Sequence, residues 1–110
     1  MENRIEKAVF DLLINKGMTF ASAESCTGGN IAHLITLIPG SSEVFRGAAV
    51  TYATPTKTKV IGVPATLIEQ FGVVSREVAE SMAQGVRRVM ESDFGLATTG
   101  VAGPSGGTEE

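Results

Sequence analysis

The stretch MTFASAESCTGGNIAHLITLIPG at residues 18–40 decides how the chain is read. Met18 to Ala23 is a short run of apolar and hydroxyl residues and predicts a strand entering a sheet. A glycine-bearing turn follows, ending on Gly28 and Gly29. Cys26 or Thr27 to Leu37 then carries Ile31, Leu34, Ile35 and Ile38 at helical spacing, and Pro39-Gly40 breaks the pattern. A strand passing through a tight turn into a helix is the unit from which helix-covered sheets are built.

Working outward, the same alternation continues. Glu2 to Lys16 places Ile5, Val9, Leu12 and Leu13 at helical intervals, and Gly17 stands where a helix commonly stops. FRGAAVTY at 45–52 reads as a second strand. Thr54-Pro55 then looks like an N-cap followed by proline at the first helical position. Val63-Pro64 repeats that signal before a short helix ending near Phe71-Gly72. Ser75 is a good cap for a helix over 76–91, whose apolar face is Val78, Met82, Val86 and Val89/Met90. Phe94 to Thr99 is a third strand, running into the glycine-rich loop 100–107. One α/β domain over residues 1–110 is expected, without repeats or linkers. Its sheet is thin, and an exposed edge makes a homo-oligomer a natural outcome.

Bulk properties narrow the function. Nine basic and twelve acidic residues are dispersed along the chain for a net charge of −3. With no basic stripe to neutralise a row of phosphates, strong nucleic-acid binding is not expected, although one small anion is feasible. Hydrophobic residues make up 43% of the chain and aromatics 5%, with no Trp, so the core is aliphatic. The single Cys cannot form an internal disulfide, which fits a reducing compartment. Met1–Lys7 lacks the apolar region of a signal peptide, and no apolar stretch approaches the ~20 residues of a membrane helix. A cytoplasmic protein without membrane contact is expected.

Two places could carry chemistry. In AESCTGG at 23–29, Ser25 stands on a strand-to-helix turn, beside helix N–H groups able to hold an oxyanion or a phosphate. The turn resembles a nucleophile elbow, but Ala23 and Thr27 depart from G-x-S-x-G, and Ser25 reads equally as a plain helix cap. The only histidine, His33, is eight residues further on, ~12 Å along a helix axis, too far to activate Ser25 or Cys26. That removes a Ser-His-Asp triad, and a histidine metal site with it. Lysine remains as the base. Lys57 and Lys59 follow the second strand, at the sheet edge where α/β proteins bind ligands, and burial could bring either amine toward neutrality. Tyr52 ends the same strand and could join the site or simply pack. The loop 100–107 could approach a phosphate or carboxamide closely, or serve as a flexible turn. Glu24 and Glu43 read as isolated carboxylates, Arg87-Arg88 as solvated, and Met82 and Met90 as core.

Taken in order, AESCTGG at 23–29, PGSS at 39–42, G-x-x-V-T-Y at 47–52, Lys57, IGV at 61–63, GVVS at 72–75, MA at 82–83 and TGVAGPSGG at 99–107 form a series. It resembles the C-terminal domain of the competence/damage-inducible CinA family, which includes stand-alone nicotinamide-nucleotide amidases, over nearly the whole chain from Thr19. The resemblance implies a three-layer α/β/α fold around a mixed sheet. It implies hydrolysis of the carboxamide of nicotinamide mononucleotide by a serine–lysine arrangement, with no metal or other cofactor. On matching positions, Ser25 would be the nucleophile and Lys57 the base, with Tyr52 orienting them, while Lys59 has no counterpart. Thr27, Gly28 and Gly29 would supply oxyanion and helix-terminus donors. Thr99, Gly100 and Gly103 would line the nucleotide pocket. Family domains continue past the glycine loop, so the chain is expected to be truncated at its C-terminus relative to them. A non-catalytic competence- or damage-related interaction module and a nucleotide-binding remnant stand as the other readings.

Overall fold

The computed structural model describes residues 4–100. Its elements in order are α1 (Ile5–Lys16), β1 (Phe20–Glu24), α2 (Asn30–Thr36), a 3₁₀ turn (Ser41–Glu43), β2 (Phe45–Val50), α3 (Thr54–Ile61), α4 (Ala65–Phe71), α5 (Arg76–Met90) and β3 (Phe94–Thr98). The described strands form one sheet in the order β2-β1-β3, with β1 parallel to both neighbours. The expected α/β class is present. Where the family likeness implied a mixed sheet, the three strands described are all parallel.

Alternation along the central strand divides the molecule into layers. Ala21 and Ala23 face a core built with Ile61, Val63, Val78, Met82 and Val86, so α3 to α5 cover that side. Phe20 faces the opposite side, with Leu13, Ile35 and Val44 from the α1 and α2 layer. The alanines keep β1 thin enough for α5 to lie close. Glycine brings two more approaches to their limit. A Cβ on Gly95 of β3 would collide with the Ala83 carbonyl oxygen, and one on Gly85 of α5 with that of Ile61. Helix, sheet and α3 are thereby locked at backbone distance.

Several boundaries differ from the sequence reading for local reasons. The second helix starts at Asn30 instead of Cys26 or Thr27, because Gly28 (φ +63°) and Gly29 (φ +104°) are left-handed and cannot extend it backward. α1 turns Phe10 and Leu13 inward, while Ile5, Val9 and Leu12 of the expected apolar stripe are exposed. α1 packs on α2 and not squarely on the sheet, so a narrower stripe is buried. The 3₁₀ turn was not anticipated. Ser75 caps α5 as expected, accepting from the Val78 N–H at 3.2 Å. Among the described residues, no helix is long and apolar enough to cross a membrane.

The strand order places the site. From β1 the chain crosses to β2 on one side, then returns past β1 to β3 on the other. Where successive connections leave a parallel strand in opposite directions, a crevice opens beyond its carboxyl end. Here that end is Glu24-Ser25.

If the backbone contact at Gly95 sets the spacing of α5 and β3, Gly95→Ala should cost about 1–3 kcal/mol and lower the urea midpoint. An unchanged midpoint would show that the layers have room to spare.

Candidate active site

Ser25 follows the last residue of β1 and is buried. Lys57 lies on α3, whose start at Thr54-Pro55 turns the chain back over the sheet's carboxyl edge. The lysine is 1% exposed, and its Nζ stands 3.1 Å from Ser25 Oγ. The same nitrogen donates to the Thr51 carbonyl at 2.6 Å and, at 3.5 Å, to that of Tyr52. These three partners suit both protonation states. An ammonium donates to all three, whereas a neutral amine donates to the two carbonyls and turns its lone pair to the Ser25 hydroxyl. Among the described residues no carboxylate pairs with Lys57. Burial therefore pushes its pKa down from 10.5, and the Coulombic influence of Cys26 opposes this without cancelling it.

Ser25, Lys57, Tyr52, Thr54, Val73, Thr99 and Gly100 line a cleft of about 210 Å³. Whole small-molecule pockets run to roughly 300–1,000 Å³, so the cleft formed by the described walls is smaller than these. Thr99 closes one side by donating its hydroxyl to the Val73 carbonyl at 2.8 Å. A larger cleft of about 650 Å³ between α3 and α4, lined by Pro55, Ala65 and Ile68 among others, is largely apolar and contains neither Ser25 nor Lys57.

The structure thus brings together Ser25, Lys57, Tyr52, Thr99 and Gly100. Tyr52 is two-thirds exposed, and its hydrogen bond to Lys57 comes from the backbone carbonyl, not the phenol. Gly103 lies outside the described residues. Lys59 and His33 are exposed. The turn behaves differently from the expectation of helix N–H groups beside Ser25. The Gly28 N–H donates to the Ser25 carbonyl at 3.2 Å and is not available to a ligand. The helix-terminal N–H groups of Ile31 and Ala32 are also taken.

What takes them is Glu24, which the sequence reading had left without a role. Its carboxylate is fully buried and accepts four hydrogen bonds: from Ile31 N–H at 2.7 Å, Ala32 N–H at 2.8 Å, the Thr27 hydroxyl at 2.8 Å and the Ser22 hydroxyl at 3.0 Å. Burial alone would raise the Glu24 pKa, but the four donors outweigh it and hold the group below its ordinary value. Thr27 therefore turns its hydroxyl into the protein. It also meets Thr98 Oγ1 at 3.0 Å, and Thr98 Oγ1 accepts the Ser25 N–H at 3.3 Å. Thr98 had been missed as well. The available signal was a carboxylate ending an otherwise small, apolar strand, directly before a helix start that needs acceptors.

The fold and this cleft define a parallel α/β protein with a buried serine–lysine pair at a switch point of its sheet. Comparison with known proteins gives the family. The profile of the CinA C-terminal domain matches residues 2–110. A CinA-like protein of Desulfosudis oleivorans is 54% identical over 106 residues, covering 96% of this chain and 26% of that protein. One from Geobacter sulfurreducens is 50% identical over 109 residues, covering 99% and 26%. The structure superposes on the competence/damage inducible protein CihA from Agrobacterium tumefaciens with TM-score 0.90 and 38% identity, covering 96% of this chain and 64% of that one. The chain belongs to the CinA C-terminal domain family. It spans about a quarter of the length of the curated relatives it matches.

The buried amine makes a stability prediction. The unfolded lysine binds its proton up to about pH 10.5, whereas the folded one releases it lower. Folding is thus penalised below the lowered pKa, and stability recovers as pH rises toward the unfolded value. Lys57→Met, similar in length and without the charge, should raise the urea midpoint at neutral pH and flatten that rise. A midpoint that drops, with the rise intact, would contradict the assignment.

Proposed function

We propose that the protein is an amidohydrolase that converts nicotinamide mononucleotide to nicotinate mononucleotide and ammonia, with Ser25 as nucleophile and Lys57 as general base. The observation that carries this reading is the 3.1 Å contact between Ser25 Oγ and the buried Lys57 Nζ. The choice of substrate rests on the resemblance to nicotinamide-nucleotide amidases; the geometry bears on the chemistry.

Neutral Lys57 takes the Ser25 proton as Oγ bonds to the carboxamide carbon, whose oxygen becomes an oxyanion. Collapse of the adduct breaks the C–N bond, and the departing nitrogen takes the proton from Lys57 to leave as ammonia. Water then attacks the Ser25 ester and gives a proton to Lys57. The ester C–O bond breaks, Ser25 Oγ recovers that proton, and the carboxylic acid ionises as it leaves. The proton that leaves Ser25 and the one it recovers move along the Ser25–Lys57 hydrogen bond, and the other two transfers join Lys57 Nζ to the departing nitrogen and to water. The Thr51 and Tyr52 carbonyls hold the amine in place in both states. Tyr52, Thr99 and Gly100, as walls of the cleft, are assigned to the ring and ribose of the substrate.

Ammonia release from nicotinamide mononucleotide should fall by roughly 10³-fold or more in Ser25→Ala and in Lys57→Met, and should survive a chelator. In the unmodified protein kcat/KM should rise with pH along a limb set below the ordinary lysine range, because the base must be deprotonated to act. Full activity in Ser25→Ala would overturn the mechanism. No Ser25-dependent turnover on any carboxamide nucleotide would remove the amidase reading and leave the binding and interaction roles.

A further inference from the structure

The hydrogen bonds around the turn run in one direction only. The Glu24 carboxylate accepts and does not donate, so the Thr27 hydroxyl must give it its proton. Thr27 Oγ1 can then only accept from Thr98, 3.0 Å away. With its proton committed to Thr27, Thr98 Oγ1 offers a lone pair to the Ser25 N–H. The sequence Ser25 N–H, Thr98, Thr27, Glu24 is therefore polarised from end to end, and it stops at a charge buried within the turn itself.

This arrangement sorts the donors near the nucleophile. Ser25 N–H is held by Thr98, Gly28 N–H by the Ser25 carbonyl, Asn30 N–H by the Thr27 carbonyl, and Ile31 and Ala32 by Glu24. Among the described residues, the N–H groups of Cys26, Thr27 and Gly29 have no acceptor. Cys26 and Thr27 are the first two residues after Ser25, whereas Gly29 is four residues on, and the N–H after a nucleophile on such a turn is where an oxyanion is commonly held.

We infer that Glu24 and Thr98 are positioning residues. Acting through Thr27, they withhold the Ser25 N–H from the ligand and fix the turn so that Cys26 and Thr27 present the oxyanion donors. This rests on the amidase reading for its chemical consequence, but the polarised chain can be tested without turnover. The mild probe is Thr98→Val, which keeps the shape of the side chain and removes the hydroxyl. Thr98→Ser restores it.

Two measurements decide the matter. The first is backbone amide exchange at Ser25, followed by NMR in the unmodified protein and both variants. Protection should be lost in Thr98→Val and kept in Thr98→Ser. The second is steady-state hydrolysis of nicotinamide mononucleotide. In Thr98→Val, kcat should fall by about 10- to 100-fold with KM nearly constant, and return in Thr98→Ser. The Lys57 limb of the pH profile should stay in place, whereas general damage to the fold would open the lysine to water and move it. Glu24→Gln, whose amide can donate to Thr27 and reverse the chain, should reproduce the kcat loss; should it fail to fold, the Thr98 pair decides alone. Unchanged Ser25 protection, or an unchanged kcat, in Thr98→Val would overturn the inference. Absence of turnover in the unmodified protein would defeat the amidase reading instead, with the exchange measurement still judging the chain.

Discussion

A lysine amine taken out of water, with no carboxylate to pair with it among the described residues, is the constraint around which this structure is arranged. Such a group would be stabilised by a counter-ion, and that would keep it charged. Here Lys57 meets two carbonyls and one hydroxyl, partners that serve the neutral form as well as the cation. The fold supplies the burial. α3 returns over the sheet edge, α5 holds α3 at backbone distance through Gly85, and the switch in strand order puts Ser25 opposite. Burial of this amine costs stability at one position.

A second buried charge, a few residues away, is treated in the opposite manner. Glu24 receives four donors and is held ionised, while Lys57 is pushed toward neutrality. The carboxylate does structural work that the helix start requires, since the first N–H groups of a helix lack partners within it. Gly28 and Gly29 let the chain fold back far enough for a residue on β1 to cap α2. What surrounds each group thus favours the ionised form of Glu24 and the neutral form of Lys57. Family membership, shown by the match over residues 2–110, is consistent with such a site but does not by itself assign a substrate.

Much of the architecture was legible because local signals agreed. Ser75, Thr54-Pro55 and Gly17 mark helix ends by backbone chemistry alone, and the three strands are short runs that begin on Phe and continue mostly in small residues. Elimination left lysine as the base, since His33 sat too far along a helix, but the choice of Ser25 as nucleophile and of Lys57 over Lys59 came from the resemblance to the family. The role of Glu24 was not legible. Its partners come from its own strand, the turn and the next helix, and Thr98, which completes the chain, is 71 residues beyond Thr27. No periodicity records such a contact. The same holds for Gly85 and Gly95, whose importance depends on which carbonyl lies opposite. α1 was misjudged on its face because its partner is mainly α2, and an apolar pattern does not say what covers it.

The chemistry proposed for the cleft depends on the protonation behaviour of one side chain, which can be read directly. Lysine is present at four positions, 7, 16, 57 and 59. NMR titration of side-chain nitrogens, with Lys57 assigned through its loss in Lys57→Met, should show that amine deprotonating below the ordinary lysine range. A Lys57 amine that keeps its proton to about 10.5, like a lysine in open solvent, would contradict the account, because the serine would then face a cation and have no base.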